Sequence, residues 1–343
     1  MLRTIPASET LGNLLSQLNK YGITRIADLT YLNNSTSIYV YSAMRPSAKS
    51  LTTSMGKGLT IEDAKCSALM ESIETFYAEE VIPDIINASF KQLATSNYRV
   101  LKANQLTGAA SISEDFPIDW CFGNLLNSKK KILIPHCLLS LDSNRVVNKL
   151  VGQNSNGLAS GNSFEESLIC SFWELNERQS INNDKSFLKV DSEYVLPYVG
   201  NEVSTNFFLY KSAFDIPVIG CYIKNINPLD NNKIFAGYGS HRNMAYAMQR
   251  ALFEAIQSKI GIISGVRDDI NDDCYLFTSK HEVIESYHLN KMIPLDPIFT
   301  ALSVLEEYDN IRNILSHFKK DLAYYCYVQD KITVLKSFLV DLC

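Results

Sequence analysis

Ser67-Ala68-Leu69-Met70-Glu71-Ser72-Ile73-Glu74, Cys170-Ser171-Phe172-Trp173-Glu174-Leu175-Asn176-Glu177 and Arg250-Ala251-Leu252-Phe253-Glu254-Ala255-Ile256-Gln257 share one eight-residue frame. In each, polar or charged groups recur at steps of four and then three residues, which returns them to one face of an α-helix. The neighbours Leu69, Met70, Ile73, Phe172, Trp173, Leu252, Phe253 and Ile256 are apolar, so the carboxylates stand among core formers and not on a solvated stripe. Glu166 extends the second face, because eleven residues on, Glu177 lies at nearly the same helical angle. Start signals agree with the frame. Thr60 with Asp63, and Ser163 with Glu166, read as capping boxes, and a third helix opens near Asn243.

The spacing therefore predicts helices over 61–74, 163–179 and 243–260. Each follows a glycine segment: Gly56-Lys57-Gly58, Gly157-Leu158-Ala159-Ser160-Gly161-Asn162 or Gly237-Tyr238-Gly239-Ser240-His241. These segments read as turns whose backbone N–H groups suit phosphate oxygens. None matches the Walker pattern or the dinucleotide fingerprint GxGxxG. A shorter helix is expected over 11–21, strands over 37–41, 131–135 and 218–223, and a polar loop over 153–157. The remainder alternates helix and strand to a last strand over 338–342. The fold class is α/β (mixed α+β), with β-sheets packed by helices. One domain is expected, in three parts: 1–50, the motif region 51–269, and a C-terminal part 270–343 that looks shortened.

The chain has 343 residues, 46% hydrophobic and 20% charged, the balance of a globular protein with a sizeable core. A net charge of −5 speaks against a general nucleic-acid binder. No apolar run reaches membrane-spanning length and the opening residues lack a signal-peptide core, so a cytoplasmic protein is expected. The eight cysteines form no CxxC pair and no zinc spacing. Cys66 and Cys170, within helical patterns, are expected to be buried reduced thiols.

Carboxylates among apolar residues need cations, and few lysines lie near these in sequence. Mg²⁺ is the natural partner, since it takes oxygen ligands and commonly bridges carboxylates to phosphates. Lys57, Arg178, Arg250 and Arg267 supply the positive charge that a metal–nucleotide site also requires. A generic metal-dependent hydrolase fits less well, because no histidine-rich cluster accompanies the acids. His241 is either a structural hydrogen-bonder or a proton carrier.

In order and spacing, these three motif regions resemble the YcaO family, and the segments over 22–30 and 264–269 are most similar to its TfuA-associated branch. The resemblance implies a YcaO-type fold and an enzyme that uses ATP and Mg²⁺ to phosphorylate a peptide backbone amide. By position it implies Mg²⁺ ligation by Glu71, Glu74, Glu166, Glu174 and Glu177. ATP contacts fall to Lys57, Ser67, Asn162, Arg178, Arg250 and Gln257, and catalytic roles to Arg178 and Arg267. The product is expected to be a thioamide, with a TfuA-like partner and an external sulfur donor acting on a peptide or protein substrate, and a homodimer is the oligomer considered. Two alternatives stay open: an azoline-forming cyclodehydratase, and a nucleotide-binding accessory subunit. The ring-forming branch often ends in a proline-rich tail, and none follows 338–343. No leader-binding domain is attached either.

Overall fold

The computed structural model describes residues 3–32, 37–102, 112–145, 147, 153–183, 187–190, 195, 198–200, 203–226, 233–266, 268 and 302–342. Arg267, Cys274 and Cys343 lie outside the described residues, as does all of 269–301. The long helices are α1 (Ala7–Leu15), α2 (Ile61–Glu79), α3 (Phe164–Asn183), α4 (Met244–Ser264) and α5 (Val304–His317). Strands β1 (Arg25–Asp28), β2 (Tyr39–Met44) and β3 (Thr53–Gly58) form an antiparallel sheet. A larger sheet holds β4 (Ile85–Ser89), β5 (Arg99–Val100), β6 (Pro117–Leu125), β7 (Lys131–Pro135), β8 (Leu158–Gly161), β13 (Lys320–Gln329) and β14 (Thr333–Asp341). Its order is β5-β7-β6-β13-β14-β8, with β4 beside β6. The third sheet, in the order β12-β11-β10-β9, is built from β9 (Phe187–Val190), β10 (Val203–Tyr210), β11 (Val218–Asn225) and β12 (Ile234–Ser240).

The three helices carrying the shared frame form where the spacing places them, and their caps form too. The Thr60 hydroxyl accepts Asp63 N–H at 3.1 Å, Ser163 accepts Glu166 N–H at 3.2 Å, and the Asn243 side chain accepts Tyr246 N–H at 2.8 Å. The first helix is displaced. It runs over Ala7–Leu15 directly after Pro6, burying Leu11 and Leu14, and a separate 3₁₀ turn covers Leu18–Tyr21 before Gly22 takes φ +67°. Pro6 presets a helical φ, so the helix starts earlier than its apolar residues suggest.

The glycine segments are corrected from turns to strands. Gly56-Lys57-Gly58 ends β3, Leu158–Gly161 is β8, and Gly237-Tyr238-Gly239-Ser240 ends β12. Their glycines let each following helix lie directly on its strand. A Cβ on Gly56 would sit 2.0 Å from Ala68 N, and one on Gly237 would sit 2.1 Å from Ala255 N. Alanines answer them from the helix side: Ala64 and Ala68 on α2, and Ala247, Ala251 and Ala255 on α4, all buried. The sequence thus writes one strand–helix unit three times: β3–α2, β8–α3 and β12–α4.

Apolar packing fixes the three units against one another. α4 fills the core between the two smaller sheets through Met248, Ala251, Leu252 and Ile256, against Val40, Met55, Phe207 and Ile219. α3 packs Leu168, Phe172 and Trp173 against α5 and the β13–β14 pair. α2 lies under α1, through Leu69 and Ile73 with Leu11 and Leu14. Cys121, Cys137 and Cys221 are buried free thiols as expected, whereas Cys66 and Cys170 are only half-buried.

Candidate functional site

In its own sheet each of β3, β8 and β12 is the terminal strand, and the polar faces of α2, α3 and α4 turn toward one cleft where these three units meet. Arg178 stands at its centre. Its guanidinium lies 4.0 Å from Glu174, 3.8 Å from Glu177 and 3.7 Å from Glu254, joining α3 to α4. Opposite, Glu74 of α2 accepts the Ser160 hydroxyl at 2.6 Å, joining α2 to β8. Glu174 accepts Gly157 N–H at 3.2 Å, and Glu254 accepts Tyr238 N–H at 3.1 Å. Gly157 has φ +76°, and a Cβ there would lie 2.4 Å from Ser337 O, so a glycine is required to aim that N–H.

Electrostatics ties the faces together. Burial, with Glu71 and Glu174 nearby, pushes the Glu74 carboxyl up to about 8. Burial raises Glu174 to about 7 against the pull of Arg178 and the Gly157 N–H. Burial and then Glu254 raise Glu177 to about 8. Lys57 projects into the same field. Burial lowers its pKa and the Arg250 charge adds to that, while Glu254, Glu71 and Glu177 oppose it. Arg250 feels Glu177 and Glu254 as well, and its buried Nε has no partner.

These observations test the fit of a metal and a polyphosphate. Among the described residues, no three His, Cys, Asp or Glu side chains are gathered tightly enough to enclose a bare ion. Mg²⁺ keeps waters and takes phosphate oxygens, so carboxylates on opposing walls, with an unspent arginine N–H beside them, are a donor set that suits it. The residues fit.

Other expected residues are placed elsewhere. Glu166 is fully buried eight residues before Glu174, about 12 Å along the helix. It is spent on the N-terminal segment: Thr4 N–H, Thr4 Oγ1 at 2.9 Å, Asn162 N–H at 2.8 Å and Arg3 at 3.9 Å. Asn162 sits at that same end, its Oδ1 accepting the Thr10 hydroxyl at 3.1 Å. Gln257 donates to Met55 O at 2.9 Å, bracing α4 on β3. Ser67 lies one turn before Glu71. His241 is a structural group, 2% exposed, whose Nδ1 accepts Asn243 N–H at 3.0 Å.

Three contributors were missed by the sequence reading. Arg3 reaches Cys170 Sγ at 3.8 Å from the chain's start, where no pattern marks it. Ser160 looked like part of a turn. Lys336, 2% exposed, stands behind Glu174 and donates to Asn154 O at 2.6 Å. A lone lysine in the run Val334-Leu335-Lys336-Ser337-Phe338 was a legible signal.

Residues 55–332 match the family described as YcaO cyclodehydratase, ATP- and Mg²⁺-binding. The chain belongs to the YcaO family. It is 28% identical over 295 residues to the protein of the tfuA 3′ region of Rhizobium leguminosarum bv. trifolii, covering 80% of this chain and 70% of that one. Its fold is that of YcaO from Methanopyrus kandleri, solved with AMPPCP and Mg²⁺: TM-score 0.75 at 18% identity, over 98% of this chain and 91% of the other. A heterocyclase in complex with substrate and cofactor matches with TM-score 0.74 at 17% identity. This YcaO chain covers 52% of that heterocyclase's length. ATP and Mg²⁺ are therefore the ligands of this YcaO chain. Among its described residues no helix is long and apolar enough to cross a membrane.

Proposed function

We propose that this YcaO chain uses ATP to activate a backbone amide of a peptide or protein, and that the product is a thioamide. The observation that carries the reading is the meeting of three helical faces, with Glu71, Glu74, Glu174, Glu177 and Glu254 ranged around Arg178, Lys57 and Arg250 in one cleft. Bound ATP supplies a phosphoryl group that turns the amide oxygen, a very poor leaving group, into a good one. The glutamates would hold Mg²⁺, Arg250 and Lys57 would hold phosphate oxygens, and Arg178 would offset the negative charge of the phosphoryl group.

Thioamidation is favoured over ring closure by the relative from a tfuA 3′ region and by the segments over 22–30 and 264–269. The sulfur is assigned to sulfide or to a TfuA-like partner. Sulfur takes the amide carbon, and oxygen leaves with the phosphoryl group as phosphate. Mass spectrometry of the peptide tests it: oxygen-to-sulfur exchange adds about sixteen daltons, whereas cyclodehydration removes about eighteen, the atomic balance of displacement by external or internal nucleophile. Loss of water without added sulfide would replace thioamidation by azoline formation.

A further inference from the structure

Three serines line the buried seam between α3 and β14. Ser167 and Ser171, four residues apart, share a face of α3, while Thr333, Leu335 and Ser337 share a face of β14. Ser167, Ser171 and Ser337 are fully buried. The Ser167 hydroxyl lies 2.9 Å from Thr333 O and 3.0 Å from Ser163 O, an ordinary tie between helix and strand. Ser171 is bonded differently. Its hydroxyl donates to Gly157 O at 2.6 Å and also meets the Ser337 hydroxyl. A carbonyl oxygen only accepts, so the Ser171 proton goes to Gly157 and Ser337 donates to Ser171.

Packing does not require this arrangement. Gly157 O already accepts Ser337 N–H at 3.0 Å, which continues the β8–β14 ladder beyond the Leu158–Lys336 pair. α3 is held against α5 and β14 by Leu168, Phe172 and Trp173. Burying a hydroxyl is costly unless it is bonded. A second donor on Gly157 O, itself steadied by another buried hydroxyl, therefore calls for a reason beyond satisfying the backbone.

That reason is found on the other side of Gly157, whose N–H is held by Glu174 at 3.2 Å. Ser171 and Glu174 stand one turn apart on α3, so one helix grips both backbone polar groups of a single residue. The residue is a glycine at φ +76°, the type freest to rotate, and its N–H stays aimed only while its carbonyl is fixed. The stretch before it is tied down by Lys336, next to Ser337 on β14, whose ammonium donates to Asn154 O at 2.6 Å. With Oε2 engaged by Gly157, Glu174 turns its other oxygen, Oε1, to the Arg178 side of the cleft, 4.0 Å from that guanidinium.

Given Glu174 as a ligand of Mg²⁺, the reading above, we propose that Ser171 and Ser337 are positioning residues of the metal–nucleotide site: through Gly157 they hold the Glu174 carboxylate in the orientation that leaves its second oxygen for the metal. Neither serine touches the ligand.

The test follows AMPPCP binding by the full chain calorimetrically across a Mg²⁺ titration, with urea unfolding of each variant beside it. Ser171→Ala is expected to need about 10-fold more Mg²⁺ for half-maximal nucleotide binding, the low end for loss of a group that orients a metal ligand. Ser337→Ala, which leaves Ser171 in place but unsteadied, is expected to need about 3-fold more, the scale of one weakened hydrogen bond. Ser167→Ala is the control. It removes the same kind of buried bond one turn earlier on α3, so it costs stability and leaves the Mg²⁺ requirement at the parent's. A parental Mg²⁺ requirement in Ser171→Ala overturns the proposal, and so does an equal rise in Ser167→Ala, because loosening α3 would then explain both. Where Ser171→Ala does not fold, Ser337→Ala decides in the same way. Glu174→Gln with the parent's Mg²⁺ requirement removes the metal reading of Glu174, and this proposal with it. A defective Glu174→Gln beside an unaffected Ser171→Ala removes this proposal alone.

Discussion

Glu174 is half-buried between a guanidinium and a backbone N–H, and burial alone disfavours its charge. Replacing it with Gln keeps the shape, removes one of several like charges and relieves repulsion. Glu174→Gln is therefore expected to melt at or above the parent's temperature while Mg²⁺-dependent AMPPCP binding and turnover fall at least about 100-fold, as for loss of a charge-stabilising group. Turnover like the parent's would remove the metal assignment. His241 gives a separate acid-stability prediction. Its ring lies 5.3 Å from Trp173 and 4.7 Å from Tyr246, and burial, with Arg250 and Arg242 adding to it, pushes the imidazole down to about 3. The unfolded chain takes up that proton first. The stability His241 contributes is whole above its ordinary value near 6.5 and is lost as pH falls toward 3, at up to about 1.4 kcal/mol per pH unit. Urea unfolding at pH 7 and pH 5 should show a smaller loss for His241→Gln than for the parent. Equal losses would contradict the assignment. Both acidic faces were legible from steps of four and three residues. The destination of Glu166 was not, since its face is right and only its height along the helix separates it from Glu174.

At the scale of elements, the strand–helix unit works because strand and helix backbones touch. Gly56→Ala places a methyl against the Ala68 backbone and is expected to cost about 3 kcal/mol or more, through a shift of α2 that also displaces Glu71 and Glu74. Gly12→Ala in α1 meets nothing within 4 Å and should stabilise by about 0.5–1 kcal/mol from helix propensity. Denaturant titrations of the pair check both. Two changes of the same size would mean that contact with α2 is not what selects Gly56. The helices were legible because period and caps are local. The glycine strands were misread because glycines before a helix look the same whether they cradle a phosphate or let a helix press on a strand.

The whole molecule gathers three sheet edges around one cleft, and each edge presents a cap from a neighbouring helix: Glu174 on Gly157, Glu254 on Tyr238, Gln257 on Met55. Because carboxylates from α2 and α3 share the cleft, metal and nucleotide binding should stiffen contacts between units as well as within them. AMPPCP with Mg²⁺ is expected to raise the melting temperature, by about 2.7 kcal/mol of stabilisation at a hundredfold excess over its Kd. AMPPCP with EDTA should give almost none. Equal shifts with and without metal would place the nucleotide away from the carboxylates.

The amino-acid sequence by itself determined the three helices, their caps, their acidic faces and the family, because a helix of 19 to 21 residues with its cap is specified by neighbours a few positions away. Only the tertiary structure decided which polar groups meet. Thr4 and Glu166 are 162 residues apart, and Gln257 and Met55 are 202 apart. A side chain's last hydrogen bond goes to whatever the packed core brings within 3 Å, and no local pattern carries that information.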